Sequence, residues 1–458
     1  MGNACGNALC GPAADSLLAY QTLKVVNIKD HRLGGVYYGL ILLIIIFVFG
    51  YEILYCNDQF EKRDVSGTPQ VMISQPTMGG CNARDPDCES NFTSMEELPY
   101  CSEYAGGLEP KVSHARPCTF ADRVSLLPNG VVGGYMMVPT RITTTHETQG
   151  CRPGKANGHT CRNEWVETDS EDHYVADIER YSLFISHTYH RDSLSGNNNR
   201  VLGYYLDCDL RGVGQREQNL KRLLYGDAAC LGIVKRRPIE CFDESCNFRE
   251  APRKELKRRK VRGGSGGGLA PDSGGKAVPY DYRTDGVYAV PNGDVFSVQK
   301  LMELAGVTSL DNATNRDGTP YREGGTVIDI EVRYSNLVPF ESTFGHGEIT
   351  YEYRVTAKPL HEVQDDLLRF WQPGSTTRTL ERRHGVLFVV TVSGHFGFFS
   401  ILNLMLMLAE AASMLAVATL LTDKIAIYMM ERADVYFHSK YEETRLPPDA
   451  GEAEPAKA

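Results

Sequence analysis

Glu410 stands in the middle of an apolar run, Phe398 to Leu421, long enough to cross a bilayer as one helix. A carboxylate at that depth is costly, so it normally faces a bundle interior or an aqueous path. At helical spacing Asn403, Met407, Glu410, Met414, Val417 and Leu421 share one face, and Ser413 lies between the small residues Ala409 and Ala416. Asn403, Glu410 and Ser413 are therefore candidate pore residues. Copies of this helix around an axis would form a carboxylate ring that favours cations, calcium included, and that senses protons. The competing reading is a Glu410 paired with a buried donor between helices.

Other chemistry is sparse. His187 and His190 have a spacing that suits a metal, but no partner ligands accompany them, and they read as surface histidines. No nucleophile–base or acid–base constellation with recognisable spacing occurs, so an enzyme is not expected. No cofactor, metal or nucleic-acid partner is expected either.

These residues need elements to hold them. A second apolar block, Val36 to Tyr55, starts too far in for a secretory signal and reads as a signal-anchor helix. Two spans put both termini on one side. Lys24, Lys29 and Arg32 before the first, with Lys424, Arg432 and Lys440 after the second, make that side cytoplasmic. Of 13 cysteines, only Cys5 and Cys10 then face the cytoplasm; the others run from Cys56 to Cys246 in an oxidising compartment. The sequons at Asn91 and Asn312 fall in the same segment. Cys81, Cys88, Cys101 and Cys118 allow three pairings. The domains are expected at 1–33 (cytoplasmic), 34–55 (first span), 56–397 (outside or lumenal), 398–422 (second span) and 423–458 (cytoplasmic). Within 56–397, residues 247–293 carry the basic run Arg253 to Arg262 and a Gly-rich stretch, and read as a disordered insert. Tyr135-containing 134–145, 180–190, 326–335 and 348–357 alternate as strands, and 385–392 is a strand by length and β-branching. A helix is expected after Asp294 as N-cap, ending at Gly306. The N-terminal Gly2 and Cys5 are lipidation candidates, with Gly6 off the myristoylation pattern.

Several stretches resemble one family. Tyr20 to Lys24 (YQTLK) before the first span, the order RTLERRHGVLFVVTVSGHFGFF into the second, AVATLLTD (Ala416 to Asp423) and YFHSK (Tyr436 to Lys440) are similar to the P2X family of ionotropic ATP receptors. The resemblance implies a membrane α+β fold: two transmembrane helices flanking a large disulfide-rich, mainly β extracellular domain, assembled as a homotrimer. It makes Thr22 a regulatory position and Tyr436 and Lys440 a surface-retention motif. It also implies a shrunken head domain with a Cys151–Cys161 bridge.

The family binds ATP with cations from two subunits, because charge-assisted bonds to phosphate are strong. Carried over, Ser182 takes a hydroxyl position, Arg369 the arginine of an Asn-Phe-Arg motif, and Arg382 the last lysine. Three family lysines fall at Ile73, Gln75 and Ser186. Three lost contacts at roughly 1.5–3 kcal/mol each cost about a thousand-fold to a million-fold in affinity. Lys62, Arg63 or Arg141 would have to compensate, or another ligand opens the channel. The expected function is a ligand-gated, non-selective cation channel, passing Ca2+ and Na+ and embedded in lipid, at the plasma membrane or an intracellular vacuole. Alternatives are a channel of this fold gated by protons or another ligand, and a non-conducting two-span surface receptor.

Overall fold

The computed structural model describes residues 28, 30–78, 86–102, 115–126, 133–150, 164–192, 194–198, 201–209, 233–239, 269–271, 277–279, 286–290, 292–337, 340, 348–358 and 363–440. Gly2, Cys5, Thr22, Cys151, Cys161 and the basic run 253–262 lie outside the described residues. The chain divides into two units. One is built from residues up to Gln59 together with those from Ser400 on; the other is Phe60–Phe399.

Along the chain, helix α1 runs from His31 to Ile45 and continues in wider π-type turns to Cys56. Strands β1 (Phe60–Asp64), β2 (Pro69–Ser74) and β3 (Cys118–Thr119) follow, then the one-turn helix α2 (Arg123–Leu126). Next come β4 (Tyr135–Gln149), β5 (Trp165–Val175), β6 (Ser182–Arg191), β7 (Leu194–Asn197), β8 (Leu202–Asp209) and β9 (Ile233–Pro238). After them stand β10 (Leu269–Pro271), β11 (Ala277–Pro279), β12 (Val287–Val290) and β13 (Gly293–Ser297). Helices α3 (Val298–Leu304) and α4 (Tyr321–Gly324) precede β14 (Thr326–Ser335), β15 (Thr350–Lys358), β16 (Gln364–Phe370) and β17 (Thr377–Phe399). Helices α5 (Ile401–Tyr428) and α6 (Ala433–Lys440) complete the described chain.

In the first unit, α1 with its continuation and α5 are each long and apolar enough to cross a bilayer. The second span begins at Ile401, three residues later than expected. Phe398 and Phe399 belong to β17, where they pair with Glu61 and Phe60, and the Ser400 side chain caps α5 by accepting from Asn403 N at 3.3 Å. Apolar composition alone does not distinguish the last strand residues from the first helical ones. Pairing decides.

In the second unit, the long strand β17 is the spine. It pairs antiparallel with β4 and β16 and parallel with β14, within the order β3-β5-β4-β17-β14-β15-β8-β9. A second sheet, β12-β13-β6-β2, carries β7 beside β6. Period-2 alternation sends Ile328, Ile330, Val332 and Tyr334 of β14 to one face, all fully buried, against Phe296 and Leu301. That burial is the main source of stability, at about 25 cal/mol per Å² of apolar surface. Gly394 breaks the spine's regularity: its φ is +118°, and a Cβ there would meet the Tyr334 carbonyl oxygen at 2.0 Å. Its own carbonyl accepts from Val65 N at 2.9 Å, where β1 leaves β17.

Two expectations need correction here. Residues 287–290, read as linker, form β12 on β13, with Val287, Tyr288 and Ala289 buried; four apolar residues facing a pairing strand outweigh the polar composition around them. The α3 cap is Ser297, which accepts from Lys300 N at 3.1 Å, and not Asp294, which is still on β13 and points into the core. Among the described cysteines, Cys101 and Cys118 are bridged, which selects one pair among the possibilities left open by sequence.

Candidate ligand site and pore helix

Two of the positions inferred from resemblance, Gln75 and Arg369, bond the backbone of α2. Strand β2 pairs with β6, placing Ser74 opposite Ser182 and Ile73 opposite Leu183. Ile73 is buried at 1% exposure, so this register puts an apolar core residue where a phosphate lysine was sought. Gln75, the second such position, is committed locally. Its Nε2 donates to Ser90 Oγ at 2.8 Å and its Oε1 accepts from Arg123 N at 2.9 Å, the first residue of α2. Ser182 and Ser186 point to the opposite face of β6 from Leu183 and Ile185, and are half-buried.

The other side of α2 holds the arginines. The Ser125 carbonyl accepts from Arg369 Nη2 at 3.3 Å and from Arg383 Nη2 at 2.8 Å. Both guanidiniums also grip Glu381: Arg383 Nε at 2.6 Å from Oε1, and Arg369 through its Nε and Nη2. Burial pushes the Glu381 carboxyl up, but the two arginines together hold it below its ordinary range. Arg369 is thus tied to a buried carboxylate. Arg382, its neighbour on β17, emerges on the opposite face from Glu381 and Arg383 and pairs with Asp366 at 2.9 Å, both exposed. An exposed pair is worth at most about 1 kcal/mol. The structure therefore does not bring Arg369 and Arg382 to one face. The proposed compensators are occupied as well: Arg63 by Glu61 and Asp192, Arg141 at 3.8 Å from both Asp172 and Glu323.

On α5, the buried stripe is Met407, Ala418, Thr422 and Ala426. Glu410, Ser413, Val417 and Leu421 are exposed in the single chain, and Asn403 is half-buried in the first turn. Met407 therefore leaves the face assigned to it and turns inward within its own unit, because α1 packs along that side of α5. Thr419 and Thr422 satisfy their hydroxyls on the carbonyls four residues back, at 3.0 and 2.8 Å.

Sequence reasoning missed two features. Glu52, in the first span, has a buried Oε2 with no hydrogen-bond partner among the described residues, and it lies in electrostatic range of Glu410. His187 is not a surface residue: it is 1% exposed, between β6, β14 and β15. Its Nδ1 meets Tyr334 Oη at 2.7 Å and its Nε2 meets Tyr353 Oη at 2.8 Å. The Tyr353 and Tyr351 hydroxyls donate to Asp294 Oδ2 at 2.9 and 2.7 Å. Tyr353 has one proton and gives it to Asp294, so it accepts from a protonated Nε2, and Nδ1 accepts from Tyr334. Burial pulls the His187 pKa below its ordinary value, against the opposing pull of Asp294. Alternation alone would have placed His187 on the Leu183–Ile185 face.

A family profile described as the ATP P2X receptor matches residues 348–443. P2X receptor E of Dictyostelium discoideum is 22% identical over 442 residues, covering 94% of this chain and 89% of that protein. P2X receptor B of the same organism is 23% identical over 438 residues, covering 94% and 92%. Among solved structures, an invertebrate P2X receptor from the Gulf Coast tick aligns over 85% of this chain and 99% of its own, at 12% identity and a TM-score of 0.43. The matched residues 348–443 hold β15, β16, the whole of β17, α5 and α6, and the relatives extend the likeness almost end to end. With two candidate spans flanking a mainly β unit in sequence, the chain is similar to P2X receptors over nearly its whole length.

Proposed function

We propose that this chain is a ligand-gated, non-selective cation channel that works as a homotrimer, opened by ATP or another small anion, with calcium among its permeant ions. Its task is transport and not catalysis. One observation carries the reading: β1 pairs residue for residue with the end of β17, from Phe60 opposite Phe399 to Asp64 opposite His395. Cys56 ends the first span just before β1, and α5 begins two residues after β17. The connections to both spans are thus one hydrogen-bonded ribbon, and a ligand that shifts β17 moves both together. Gating is then a population shift toward the state the ligand prefers. Both termini are cytoplasmic in this reading, at the plasma membrane or an intracellular vacuole, with Asn91 and Asn312 on the glycosylated side. Thr22, Tyr436 and Lys440 serve regulation and trafficking, Gly2 and Cys5 acylation, and Cys151–Cys161 staples the β4–β5 hairpin.

Ser182, Arg369 and Arg382 are the ligand positions carried over from the family resemblance, with Arg382 the strongest phosphate partner because its pair with Asp366 is exposed whereas Arg369 is held by the buried Glu381. Whole-cell current from cells expressing the chain tests this. Arg382→Ala is expected to raise the half-maximal ATP concentration about tenfold, the loss of one charge-assisted contact. Glu410→Gln is expected to lower relative calcium permeability several-fold while leaving a current. No ATP-evoked current despite surface expression, or one indifferent to Arg382→Ala, discards ATP at this site. Unchanged calcium permeability in Glu410→Gln discards the carboxylate ring. A proton-opened channel of the same plan is the second reading, favoured by the buried His187–Asp294 pair at 3.8 Å.

A further inference from the structure

We propose that α6 is a strap that clamps together the ends of the two spans nearest the chain termini, and that it must let go before those ends separate. Helix α6 is eight residues long. A helix that short is not stable alone in water, so its contacts hold it. Those contacts reach both spans within one unit. Tyr436 and Lys440, four apart, project from the same face of α6. The Tyr436 hydroxyl donates to Asp30 Oδ2. Asp30 is also the cap of α1, its Oδ1 accepting from Arg32 N at 2.8 Å, so one carboxylate serves the helix start and the strap. The Tyr436 ring is buried with Leu33 of α1 and Ala426 of α5, with Ile28 and Met430 at the margin. One turn on, the Lys440 ammonium pairs with Asp423 Oδ2 of α5. Arg32 and Glu431 add an exposed pair at 3.6 Å.

The arrangement is cooperative. Breaking the Tyr436 contact removes the bond from α6 to the α1 cap, and breaking the Lys440 contact frees the last turn of a helix too short to persist. Both residues of the Tyr-x-x-x-Lys pattern are thus consumed inside the unit. A partner that reads them gains access only after release.

Hydrogen exchange of the purified full chain in detergent, followed by mass spectrometry, tests the strap. Tyr436→Phe keeps the ring and removes one hydroxyl; Lys440→Met keeps the stem and removes the charge. Each is expected to speed exchange over residues 433–440 roughly tenfold, and Tyr436→Phe also at the first turn of α1. Lys440→Asp with Asp423→Lys is expected to restore wild-type rates where either alone does not. Wild-type exchange in both single variants, a first turn of α1 indifferent to Tyr436→Phe, or a charge swap as fast as its single variants would each overturn the strap. The readout needs no current, so failure of the channel reading leaves this result interpretable.

Discussion

Arg322→Met is expected to lower the thermal unfolding midpoint of the purified chain by roughly 6–10 °C. Arg322 is 1% exposed and sits between two carboxylates. Its Nε and Nη2 reach Asp311 at 2.6 and 2.9 Å, Nη2 also meets Glu179, and the guanidinium stacks 3.5 Å over the Tyr100 ring. Burial alone would pull this guanidinium's pKa down; the two carboxylates overcome that and hold it above its ordinary value, so it is charged at every working pH. Removing the cation leaves Asp311 and Glu179 without their shared counter-ion, which costs about 3–5 kcal/mol for a buried network. The residue links segments far apart in sequence: Glu179 beside β6, Tyr100 next to the Cys101–Cys118 bridge, and α4 before β14. Scanning fluorimetry in detergent reads the shift. Arg63→Met is the control, because Arg63 bonds Glu61 and Asp192 at the surface and is expected to move the midpoint by no more than about 2 °C. Equal shifts in the two variants would show that the triad adds nothing beyond a surface pair.

Acidification is expected to weaken the β unit through His187, and the effect should vanish in His187→Gln. In the folded chain burial depresses the His187 pKa. Below the ordinary histidine pKa of about 6.5, the unfolded chain takes a proton that the folded chain refuses, so stability falls as pH drops below that value. One proton gives at most about 1.4 kcal/mol per pH unit, or roughly 2 kcal/mol between pH 6.5 and 5. The ring faces Tyr334 on β14, Tyr351 and Tyr353 on β15, and Asp294 on β13. Charging the ring would place a donor at Nδ1 against Tyr334 Oη, forcing that hydroxyl to give up its present role. Glutamine keeps one acceptor and one donor without titrating. Unfolding midpoints at pH 7.5 and 5.0 for both proteins make the comparison. Parallel pH dependence in the two would assign the acid loss elsewhere, His173 being the next histidine depressed by burial.

Local pattern carried much of this protein. Length and apolarity mark the two spans, because a bilayer demands about 20 apolar residues in a row. Strict alternation marks β14 at its observed bounds, since one face is buried and the other is not. Motifs with little structural demand, such as those at Tyr20 and Tyr436, point to a family but not to contacts. What local pattern does not hold is which residues meet across the fold. That Ile73 faces the core rather than a phosphate follows from a strand register set by β6, more than 100 positions away. That Arg369 and Arg382 part to opposite faces follows from the pairing of β16 with β17 and from the pull of the buried Glu381 on one of them. His187 and Asp294 look like a surface histidine and a helix cap in sequence; they become a buried pair because three tyrosines from two later strands arrive to satisfy them. Periodicity is a property of neighbours along the chain, whereas burial, ion pairing and proton affinity depend on neighbours in space, and only the tertiary fold supplies those.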